Sequence, residues 1–563
     1  MSIIQIDSNK KLEDIEHHFK VSAGPGAGKT HWLVGHIKHV LHNSSRLNKI
    51  RKIACITYTN IAVETISTRL GTSATQVDVS TIHSFLYRHI VKPYIFLIAN
   101  EYGLNYSKLD GHDDLNHSYS KINNWLELTG QKYFTKERKK LIDALDSVQW
   151  QLQENGEINL RLPVNKPYLG KITHLSIKKN SYIEYRKQHW STGKIHHDDV
   201  LFFSYKLIEK FPYILEVLRA KFPYFFIDEF QDCNPIQLAI IKKIAESETI
   251  IGVIGDAAQS IYEFQGAVQD QFNTFSLSGI KKYEISQNNR STTKIVNVLN
   301  RVRTDITQIP FRQIDGDSPY LVVGNQNQVI KVIRDNYGIR DFCSLSRLNV
   351  ESNALKIELD STSIVHNLLD SLEDDSNSER RRILICSVKA IEFAREKKFK
   401  DSFKELSKIF PLNSFPLNFS LAYLSNILNE YDDFKEKSLS YFIDVLRKHS
   451  GLKIAKLGKG KAKDLYDTHI YNQLSVCVNI PDDMSLNKTI HKSKGDEFDN
   501  VVLFLKSEND LEFITNPQLT IKEEHRINYV AISRAKNKLF ISVPSLVAAE
   551  EPKFKEHFEI IRC

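Results

Sequence analysis

A glycine-rich loop between an apolar run and a helix-forming stretch constrains this chain most strongly. Its residues run Ala23-Gly24-Pro25-Gly26-Ala27-Gly28-Lys29-Thr30. Glycines let the backbone curl so that its N–H groups and the N-terminus of the next helix face phosphate oxygens. Lys29 would neutralise phosphate charge, and the Thr30 hydroxyl would ligate Mg²⁺. The loop predicts a nucleotide-binding α/β domain; the alternative is an ordinary glycine-rich turn ahead of a helix.

An acidic segment follows a second apolar run much later in the chain. Asp228-Glu229-Phe230-Gln231-Asp232 comes directly after Tyr224-Phe225-Phe226-Ile227. Parallel sheets place ligand chemistry at the carboxyl ends of their strands. We therefore expect Asp228 to hold Mg²⁺ and Glu229 to act as general base towards the attacking water. A surface turn that carries paired acids is the alternative.

A third motif begins at the end of another apolar run, Ile250 to Gly255, and carries Gln259-Ser260-Ile261-Tyr262-Glu263-Phe264. The Gln259 amide can bond both a γ-phosphate and nearby main chain. Tyr262 and Phe264 lie two residues apart, so on an extended turn they would point the same way and sandwich bases. Such stacking contributes roughly 1–3 kcal/mol per base and tolerates any sequence. Core packing is the alternative for two isolated aromatic residues.

Two arginines and one polar segment in the second half of the chain are further candidate site residues. Arg290 and Arg534 are candidate arginine fingers, since arginines from a facing domain stabilise charge on a transferring phosphoryl group. A solvated surface arginine is the alternative for each. The polar segment is Thr489-Ile490-His491-Lys492-Ser493-Lys494-Gly495-Asp496-Glu497-Phe498. It suits contact with a phosphodiester backbone, with Glu497 accepting from a ribose hydroxyl, or it is an ordinary loop.

Composition narrows the class of protein without identifying it. The chain has 563 residues and a formal net charge of +8, which only mildly favours a polyanionic partner. Its six cysteines form no CxxC pair, which argues against a disulfide scaffold or a metal cluster. The first residues lack a signal segment, and the longest apolar runs are well below a membrane span. We expect a soluble cytoplasmic protein with no membrane partner.

The alternation of short β-branched runs and helical stretches predicts two parallel α/β units. Each is interrupted by a mainly helical insertion. The first unit is predicted to comprise residues 1–85 and 221–280, with its insertion at 86–220. The second unit is predicted to comprise residues 281–355 and 485–563, with its insertion at 356–484. A lysine-rich stretch from Lys453 to Lys463 in the second insertion either touches duplex DNA or is a solvated loop.

In this order the motifs resemble those of superfamily 1 DNA helicases of the UvrD, Rep and PcrA type. The resemblance is also carried by Ile56-Thr57-Tyr58-Thr59-Asn60, Thr81-Ile82-His83-Ser84-Phe85, Gln287-Asn288-Asn289-Arg290-Ser291 and Glu524 to Ala535. It implies two RecA-like domains, 1A and 2A, with inserted subdomains 1B and 2B, and ATP with Mg²⁺ at the cleft between the domains. It also implies 3′–5′ translocation on single-stranded DNA.

The resemblance assigns roles to individual residues of this chain. Catalytic roles go to Lys29, Asp228, Glu229, Gln259, Arg290 and Arg534. Gly495 and Glu497 join the glycine-rich loop as nucleotide contacts. The DNA contacts would be Tyr58, Thr59, Asn60, His83, Tyr262, Phe264 and His491.

The chain departs from the family pattern at the base-recognition positions. Asn289 stands where the family usually has a tyrosine that packs on adenine, and Gln265 stands where it usually has an arginine. The upstream glutamine that reads the edge of adenine is not evident, because Gln5 fits poorly in spacing and neighbours. We therefore predict weaker discrimination among nucleoside triphosphates. The second insertion is also short for a family member.

Two functions follow from this pattern. The first is an ATP-driven 3′–5′ translocase that separates duplex DNA, acting on single-stranded or tailed DNA. The second is a DNA-sensing ATPase that regulates a partner, similar to the small UvrD-like proteins of antiphage systems such as Gabija, which occur beside an OLD-type nuclease. We expect any cutting activity to come from another polypeptide. A nucleotide-binding structural protein would require one catalytic residue to be missing, and all are present.

Overall fold

The computed structural model describes residues 3–563 except 116, 164–165, 173, 264–265, 269, 412–414, 479 and 481–484. The chain divides into two compact units. The first comprises Met1–Arg290, Arg303–Gln313 and Gln518–Arg526, and the second comprises Ser291–Val302, Ile314–Pro517 and Ile527–Cys563. Each unit contains one large parallel β-sheet with helices around it, which confirms the predicted α/β class. The first unit also contains a two-stranded parallel sheet, in which Gln287–Asn288 pairs with Ile309–Pro310.

The sheet of the first unit has seven strands, and each is parallel to its neighbours. Their order across the sheet is Ile4–Gln5, Lys281–Ile285, Phe19–Ala23, Ile250–Gly255, Tyr224–Ile227, Ile53–Thr57 and Val77–Thr81. The central strands are buried on both faces, which explains their continuous apolar runs. The carboxyl ends of the three central strands carry the glycine-rich loop, the acidic segment and the turn that contains Gln259.

Helices connect these strands and begin at recognisable signals. The connecting helices are Lys29–Asn43, Asn60–Leu70, Ile82–Leu86, Pro235–Ala245 and Gln271–Thr274. The helix Pro235–Ala245 begins with proline at its first position, and Asn234 and Gln237 form a reciprocal capping box. This helix starts soon after the acidic segment, and its start therefore fixes the path of the chain as it leaves the acidic segment.

The first insertion is mainly helical, with two short antiparallel hairpins. Its helices are Lys92–Tyr94, Ala99–Tyr102, Tyr119–Leu128, Arg138–Ser147, Ser181–Trp190, His197–Lys210 and Tyr213–Lys221. The hairpins pair Gln149–Leu152 with Ile158–Arg161 and Lys171–Ile172 with Leu175–Ser176. Trp125 and Trp190 share one continuous core with Ile227 and Val253 of the sheet. The insertion is therefore packed onto the face of the sheet and does not form a separate core.

The sheet of the second unit has six parallel strands. Their order is Asn487–Thr489, Cys343–Ser346, Phe498–Phe504, Ala535–Val543, Tyr320–Val323 and Glu559–Arg562. The helices in the same part of the chain are Thr293–Val302, Gln326–Tyr337, Asn349–Lys356, Glu512–Thr515 and Glu523–Ile532. The last helix crosses the division between the units, since residues to Arg526 belong to the first and residues from Ile527 to the second.

The second insertion has a hydrophobic core of its own. Its helices are Leu368–Ser371, Ser378–Arg395, Phe399–Leu406, Leu417–Asn429, Tyr431–Phe434, Leu439–Ser450, Lys461–Thr468 and Tyr471–Ser475. Tyr423, Phe442 and Tyr471 are buried in this core, which does not include the strands of the second sheet. In the lysine-rich stretch, Lys461 begins a helix and Lys463 pairs with Asp467 at 2.8 Å.

The predicted start of the second unit at residue 281 is wrong. The strand Lys281–Ile285 pairs in parallel with Phe19–Ala23, and Tyr283 and Ile285 are buried in the core of the first unit. The first unit therefore continues to Arg290. A short strand does not reveal from its sequence which of two similar sheets it joins. The remaining predicted boundaries stay predictions.

No helix among the described residues is long and apolar enough to cross a lipid bilayer.

Candidate nucleotide and DNA site

The glycine-rich loop joins the strand Phe19–Ala23 to the helix Lys29–Asn43. Gly26 and Gly28 have φ angles of 71° and 81°, a left-handed conformation that favours glycine. A Cβ atom added to Gly26 would lie 2.7 Å from Asn288 Oδ1 and 2.8 Å from Arg290 Cβ. The loop therefore requires glycine both for its backbone conformation and for the close approach of a neighbouring segment.

Lys29 is buried and folded back against the loop. Its Nζ atom donates to the carbonyl oxygens of Ala23 and Gly24, each at 3.3 Å. The loop and the first turn of the helix hold the lysine head group beside the backbone that would surround a phosphate. The other predicted loop contacts, Pro25, Ala27 and Thr30, lie in the same strand–loop–helix segment.

Asp228 lies at the carboxyl end of the strand Tyr224–Ile227. The Thr30 hydroxyl donates to Asp228 Oδ2 at 3.4 Å. Burial raises the pKa of the Asp228 carboxyl, and the negative charge of Glu229 raises it further. Hydroxyl and carboxylate oxygens are the hard ligands that Mg²⁺ prefers, so Thr30 and Asp228 form a donor set that fits this ion.

Glu229 occupies a strained backbone position. Its φ angle is 52°, in the left-handed region that non-glycine residues rarely adopt. The Gln231 amide donates to the Glu229 carboxylate. The strained turn and this hydrogen bond together fix the direction of the carboxylate that was predicted to act as general base.

A short relay of hydrogen bonds links Glu229 to Gln259. The other end of the Gln231 amide, Oε1, accepts from the Asp256 backbone N–H at 3.0 Å. The Asp256 carboxylate accepts from Gln259 Nε2 at 2.5 Å. The half-buried Glu229, the predicted general base, and the buried Gln259, the predicted γ-phosphate sensor, are therefore held in one polar network.

The segment around Arg290 lies against the glycine-rich loop. The Asn289 N–H donates to the Gly26 carbonyl at 2.8 Å, and Asn288 Nδ2 donates to the Pro25 carbonyl at 3.2 Å. Gln308, which the sequence did not single out, donates from Nε2 to the same Pro25 carbonyl at 2.7 Å. Arg290 thus belongs to the first unit, together with the glycine-rich loop of residues 23–30, which is the proposed phosphate loop. Its predicted assignment to the second unit is wrong.

Gln5 was the weak candidate for the residue that reads adenine. It lies on the edge strand Ile4–Gln5 of the first sheet, and its amide donates to Glu284 Oε1 at 2.7 Å. The Gln5 amide therefore has a hydrogen-bond partner on the neighbouring strand. This agrees with the poor match between the spacing of Gln5 and that of the adenine-reading glutamine of the family.

Two aromatic residues predicted to grip DNA contact each other in the first unit. The rings of Tyr58 and Tyr262 are stacked, with centroids 4.7 Å apart and planes 24° apart. Burial, followed by the charge of Asp232 and the neighbouring Tyr262, raises the pKa of Tyr58. The two motifs that carry these rings are therefore adjacent, as base stacking would require. Phe264 and Gln265 lie outside the described residues.

The remaining DNA-contact candidates of the first unit lie on neighbouring helices. Thr59 caps the helix Asn60–Leu70 by accepting the Ala62 N–H at 3.2 Å, while Asn60 is exposed. His83 lies in the helix Ile82–Leu86, and burial together with the nearby His112 and His197 lowers its pKa to about 4. His83 would therefore meet a ligand as a neutral imidazole at pH 7.

Four predicted site residues belong to the second unit. Arg534 is 2% exposed and donates to the carbonyls of Val530 at 3.0 Å and Asp496 at 3.3 Å. Glu497 pairs with Lys536 at 2.8 Å. His491 begins a short 3-10 turn, and Gly495 has a φ angle of 92°.

One further arginine connects the sixth motif to the aromatic turn within the first unit. Arg526 is fully buried, donates from Nε to the Ser260 carbonyl at 2.7 Å and pairs with the Glu263 carboxylate. The sequence placed Arg526 within a motif but gave no reason to prefer it over its neighbours. Its donors hold the turn that carries Tyr262.

The sequence also predicted the absence of a metal cluster. Among the described residues, ligand atoms of Asp113, Asp114 and His197 lie within 4.8 Å of one another at an exposed position. Exposed acidic groups of this kind occur without a bound ion, so the prediction stays a prediction.

Comparison with known proteins decides the family. Residues 6–278 match the model of the UvrD/REP helicase N-terminal domain, and residues 419–545 match the model of the UvrD-like helicase C-terminal domain. The chain belongs to the UvrD/PcrA-type superfamily 1 helicases. This family of ATP-dependent DNA helicases has the fold of two RecA-like domains, and the two parallel sheets agree with it.

Two Bacillus proteins are among the relatives that this chain resembles. The Gabija protein GajB of Bacillus cereus (strain HuB5-5) is 29% identical over 385 residues, which cover 58% of this chain and 55% of GajB. The ATP-dependent DNA helicase PcrA of Bacillus subtilis (strain 168) is 29% identical over 293 residues, which cover 50% of this chain and 36% of PcrA. The chain therefore spans about half the length of GajB and about a third of PcrA.

Three buried side chains that hydrogen-bond the predicted site of the first unit were not among the predicted site residues. Gln231 and Asn288 lie inside quoted motifs, and their hydrogen bonds could have been suspected from their amides. Gln308 lies outside every motif and contacts residue 25, so no local signal could have found it.

Proposed function

We propose that the chain is an ATP-dependent 3′–5′ DNA helicase that translocates on single-stranded DNA. The observation that carries the proposal is the partly buried hydrogen-bond network of the first unit. It joins Thr30 to Asp228, and it joins Glu229 to Gln259 through Gln231 and Asp256. Family membership and the PcrA and GajB relatives support an ATPase of the helicase type.

The roles of the residues follow from their chemistry. Lys29 neutralises the β- and γ-phosphates, and Glu229 accepts a proton from the attacking water. Thr30 and Asp228 would hold Mg²⁺, which when bound neutralises phosphate charge. Gln259 contacts the γ-phosphate and orients the water. Arg290 and Arg534 supply positive charge to the transferring phosphoryl group.

The grip on DNA is proposed for the stacked tyrosines and the residues around them. Tyr58 and Tyr262 would separate to accept a base between or beside their rings, because a base offers the same stacking surface that each ring offers the other. Thr59, Asn60 and His83 in the first unit and His491 in the second would contact the backbone. Gly495 and Glu497 would assist nucleotide binding. We place the activity in the cytoplasm, on single-stranded or tailed DNA.

A second candidate function is a DNA-sensing ATPase that regulates a partner nuclease in antiphage defence. The similarity to GajB favours it, as do the compact second insertion and Asn289 at the base-recognition position. The nuclease of this proposal is of the OLD type. In this case DNA stimulates hydrolysis but strands are not displaced.

One experiment separates the two functions. Strand displacement is measured on 3′-tailed, 5′-tailed and blunt duplexes, with ATP hydrolysis followed in parallel. The helicase proposal expects displacement of the 3′-tailed duplex alone. DNA-stimulated hydrolysis without displacement favours the sensing ATPase, and displacement of 5′-tailed duplexes contradicts the proposed polarity.

The matched variants are Lys29→Ala and Lys506→Ala. Lys29→Ala is expected to abolish hydrolysis and displacement while leaving single-strand binding within about 3-fold, because the lysine acts on phosphate. Lys506 follows a strand of the second sheet and pairs with Glu351 at 3.3 Å, so its loss should leave hydrolysis unchanged. Full unwinding by Lys29→Ala removes the proposal.

A further inference from the structure

The segment Arg303–Gln313 belongs to the first unit although the chain on either side of it belongs to the second. Two of its polar side chains are 2% exposed, and both reach elements of the nucleotide site. Gln308 donates to the Pro25 carbonyl of the phosphate loop. Arg303 reaches Asp256, the residue that holds Gln259.

The guanidinium group of Arg303 lies between two carboxylates. Its Nη1 atom lies 2.6 Å from Asp256 Oδ1. Its Nε and Nη2 atoms donate to the two carboxylate oxygens of Asp305 at 2.7 and 3.1 Å. The Asp256 side chain is fully buried, whereas that of Asp305 is 60% exposed. A planar fork with two carboxylate partners holds its orientation in a way that a lysine ammonium does not.

Asp256 stands between Arg303 and the predicted catalytic groups. Its carboxylate accepts from the Ala258 backbone N–H at 3.1 Å and from Gln259 Nε2 at 2.5 Å. Its own backbone N–H donates to Gln231, whose amide bonds Glu229. The direction of the Gln259 amide therefore depends on where the Asp256 carboxylate is held.

We propose that Arg303 is a positioning residue for nucleotide hydrolysis, which holds the Asp256 carboxylate so that Asp256 orients the Gln259 amide. This inference rests on the proposed ATPase function. A buried carboxylate that loses its charged partner turns towards other donors, because an uncompensated buried charge is unfavourable. The Gln259 amide would then lose its orientation while the phosphate loop stays intact.

The test is a double-mutant cycle in the full chain, with saturating single-stranded DNA. The variants are Arg303→Met, Gln259→Ala and the combination, and the measurements are kcat and KM for ATP. Arg303→Met is expected to lower kcat by about 10- to 100-fold, since small misplacements of catalytic groups cost this much. KM should change by less than about 3-fold, since Lys29 and the loop are untouched.

The decisive measurement is the effect of Arg303→Met in the Gln259→Ala background. If Arg303 acts through Gln259, adding Arg303→Met to the Gln259→Ala variant lowers kcat by less than about 2-fold. If the fall of kcat in the double variant equals the product of the falls in the two single variants, the proposal is overturned. A wild-type chain without ATP hydrolysis would contradict the proposed function itself, which is a different outcome from multiplying effects in an active enzyme.

Arg380→Met is the matched control for loss of a buried arginine–carboxylate pair. Arg380 lies in the second insertion and pairs with Asp375, whose side chain is also fully buried. Its loss should lower the thermal unfolding temperature without lowering kcat of the folded enzyme. An equal fall of kcat in Arg380→Met and Arg303→Met would show a general effect of destabilisation and overturn the assignment.

Two milder variants keep the proposal testable if Arg303→Met does not fold. Asp305→Ala removes the partly exposed partner of Arg303 and leaves Arg303 paired with Asp256, so kcat should fall by only about 2- to 5-fold. Arg303→Lys keeps the charge but loses the planar fork, so it should lower kcat by less than the roughly 10- to 100-fold expected of Arg303→Met. If neither variant changes kcat, the proposal is wrong.

Discussion

The two large parallel sheets of this chain share an architecture but differ in the residues at the carboxyl ends of their strands. In the first sheet, the strand ends carry the phosphate loop, Asp228 and Asp256. In the second sheet, Gly324 after Tyr320–Val323 leads into a helix with a capping box, in which the Asn325 side chain accepts the Gln328 N–H and the Gln328 side chain accepts the Asn325 N–H. An open helix N-terminus attracts anions, whereas a capped one has its donors satisfied.

Charge placement differs between the sheets in the same way. A cavity of about 360 Å³ lies at the carboxyl ends of three strands of the second sheet and is lined by Lys506 and Glu351, which pair with each other. The first sheet instead holds Lys29 against loop carbonyls, with Asp228 and Thr30 nearby. Similar sheets thus acquire different chemistry from a few residues after their strands. We therefore expect phosphate binding in the first unit, and Arg534 is the catalytic candidate of the second.

The largest expected effect tests whether the second unit takes part in chemistry. Arg534→Lys should lower kcat for ATP by about 10³-fold or more, because a lysine does not reproduce an arginine finger. Single-turnover hydrolysis and thermal unfolding are measured together, with the exposed Arg334→Lys as control. A loss of stability with unchanged kcat would mean that Arg534 serves only the second unit, through its bonds to Val530 and Asp496.

The next effect tests whether the first unit holds the general base. Glu229→Gln should lower kcat by about 10²- to 10⁴-fold with little change in KM for ATP, since the amide keeps the shape but does not accept a proton. Steady-state hydrolysis with saturating DNA measures this. Glu127→Gln, at an exposed position of the same unit, is the control. Activity within 5-fold of wild type would assign the base to another residue.

A smaller effect concerns the stacked tyrosines. Tyr262→Ala should weaken binding of single-stranded DNA by about 5- to 150-fold, the range that loss of 1–3 kcal/mol of stacking gives. Tyr262→Phe keeps the ring and should bind like wild type. Tyr58→Ala combined with Tyr262→Ala should weaken binding by less than the product, because the rings contact each other. Unchanged binding in the double variant would make this pair a packing contact.

The smallest effect concerns base recognition beside the phosphate loop. With Asn289 in place of an aromatic ring, kcat/KM for ATP and GTP should differ by less than about 100-fold, or 2.7 kcal/mol. Asn289→Tyr should lower KM for ATP several-fold by adding a stacking surface. Steady-state hydrolysis of both nucleotides measures this. A wild-type preference for ATP above that limit would place base recognition elsewhere in the first unit.

The strands, the phosphate loop and the acidic segment could be predicted from the amino-acid order alone. Their signals are local, since continuous apolar runs mark strands buried on both faces and glycines mark the positive φ angles at Gly26 and Gly28. The helix from residue 29, the strand Tyr224–Ile227 and the strand Ile250–Gly255 all lie where these patterns predicted them.

The contacts between distant segments became visible only in the folded chain. Lys281–Ile285 joins the first sheet, Gln308 bonds a loop carbonyl 283 positions away, and Arg303 reaches Asp256. A hydrogen bond between distant positions leaves no periodicity and no spacing in the chain, because it depends on the path of every element between its partners. Local patterns therefore identify the groups that can do chemistry, and the fold selects the side chains that hold them in place.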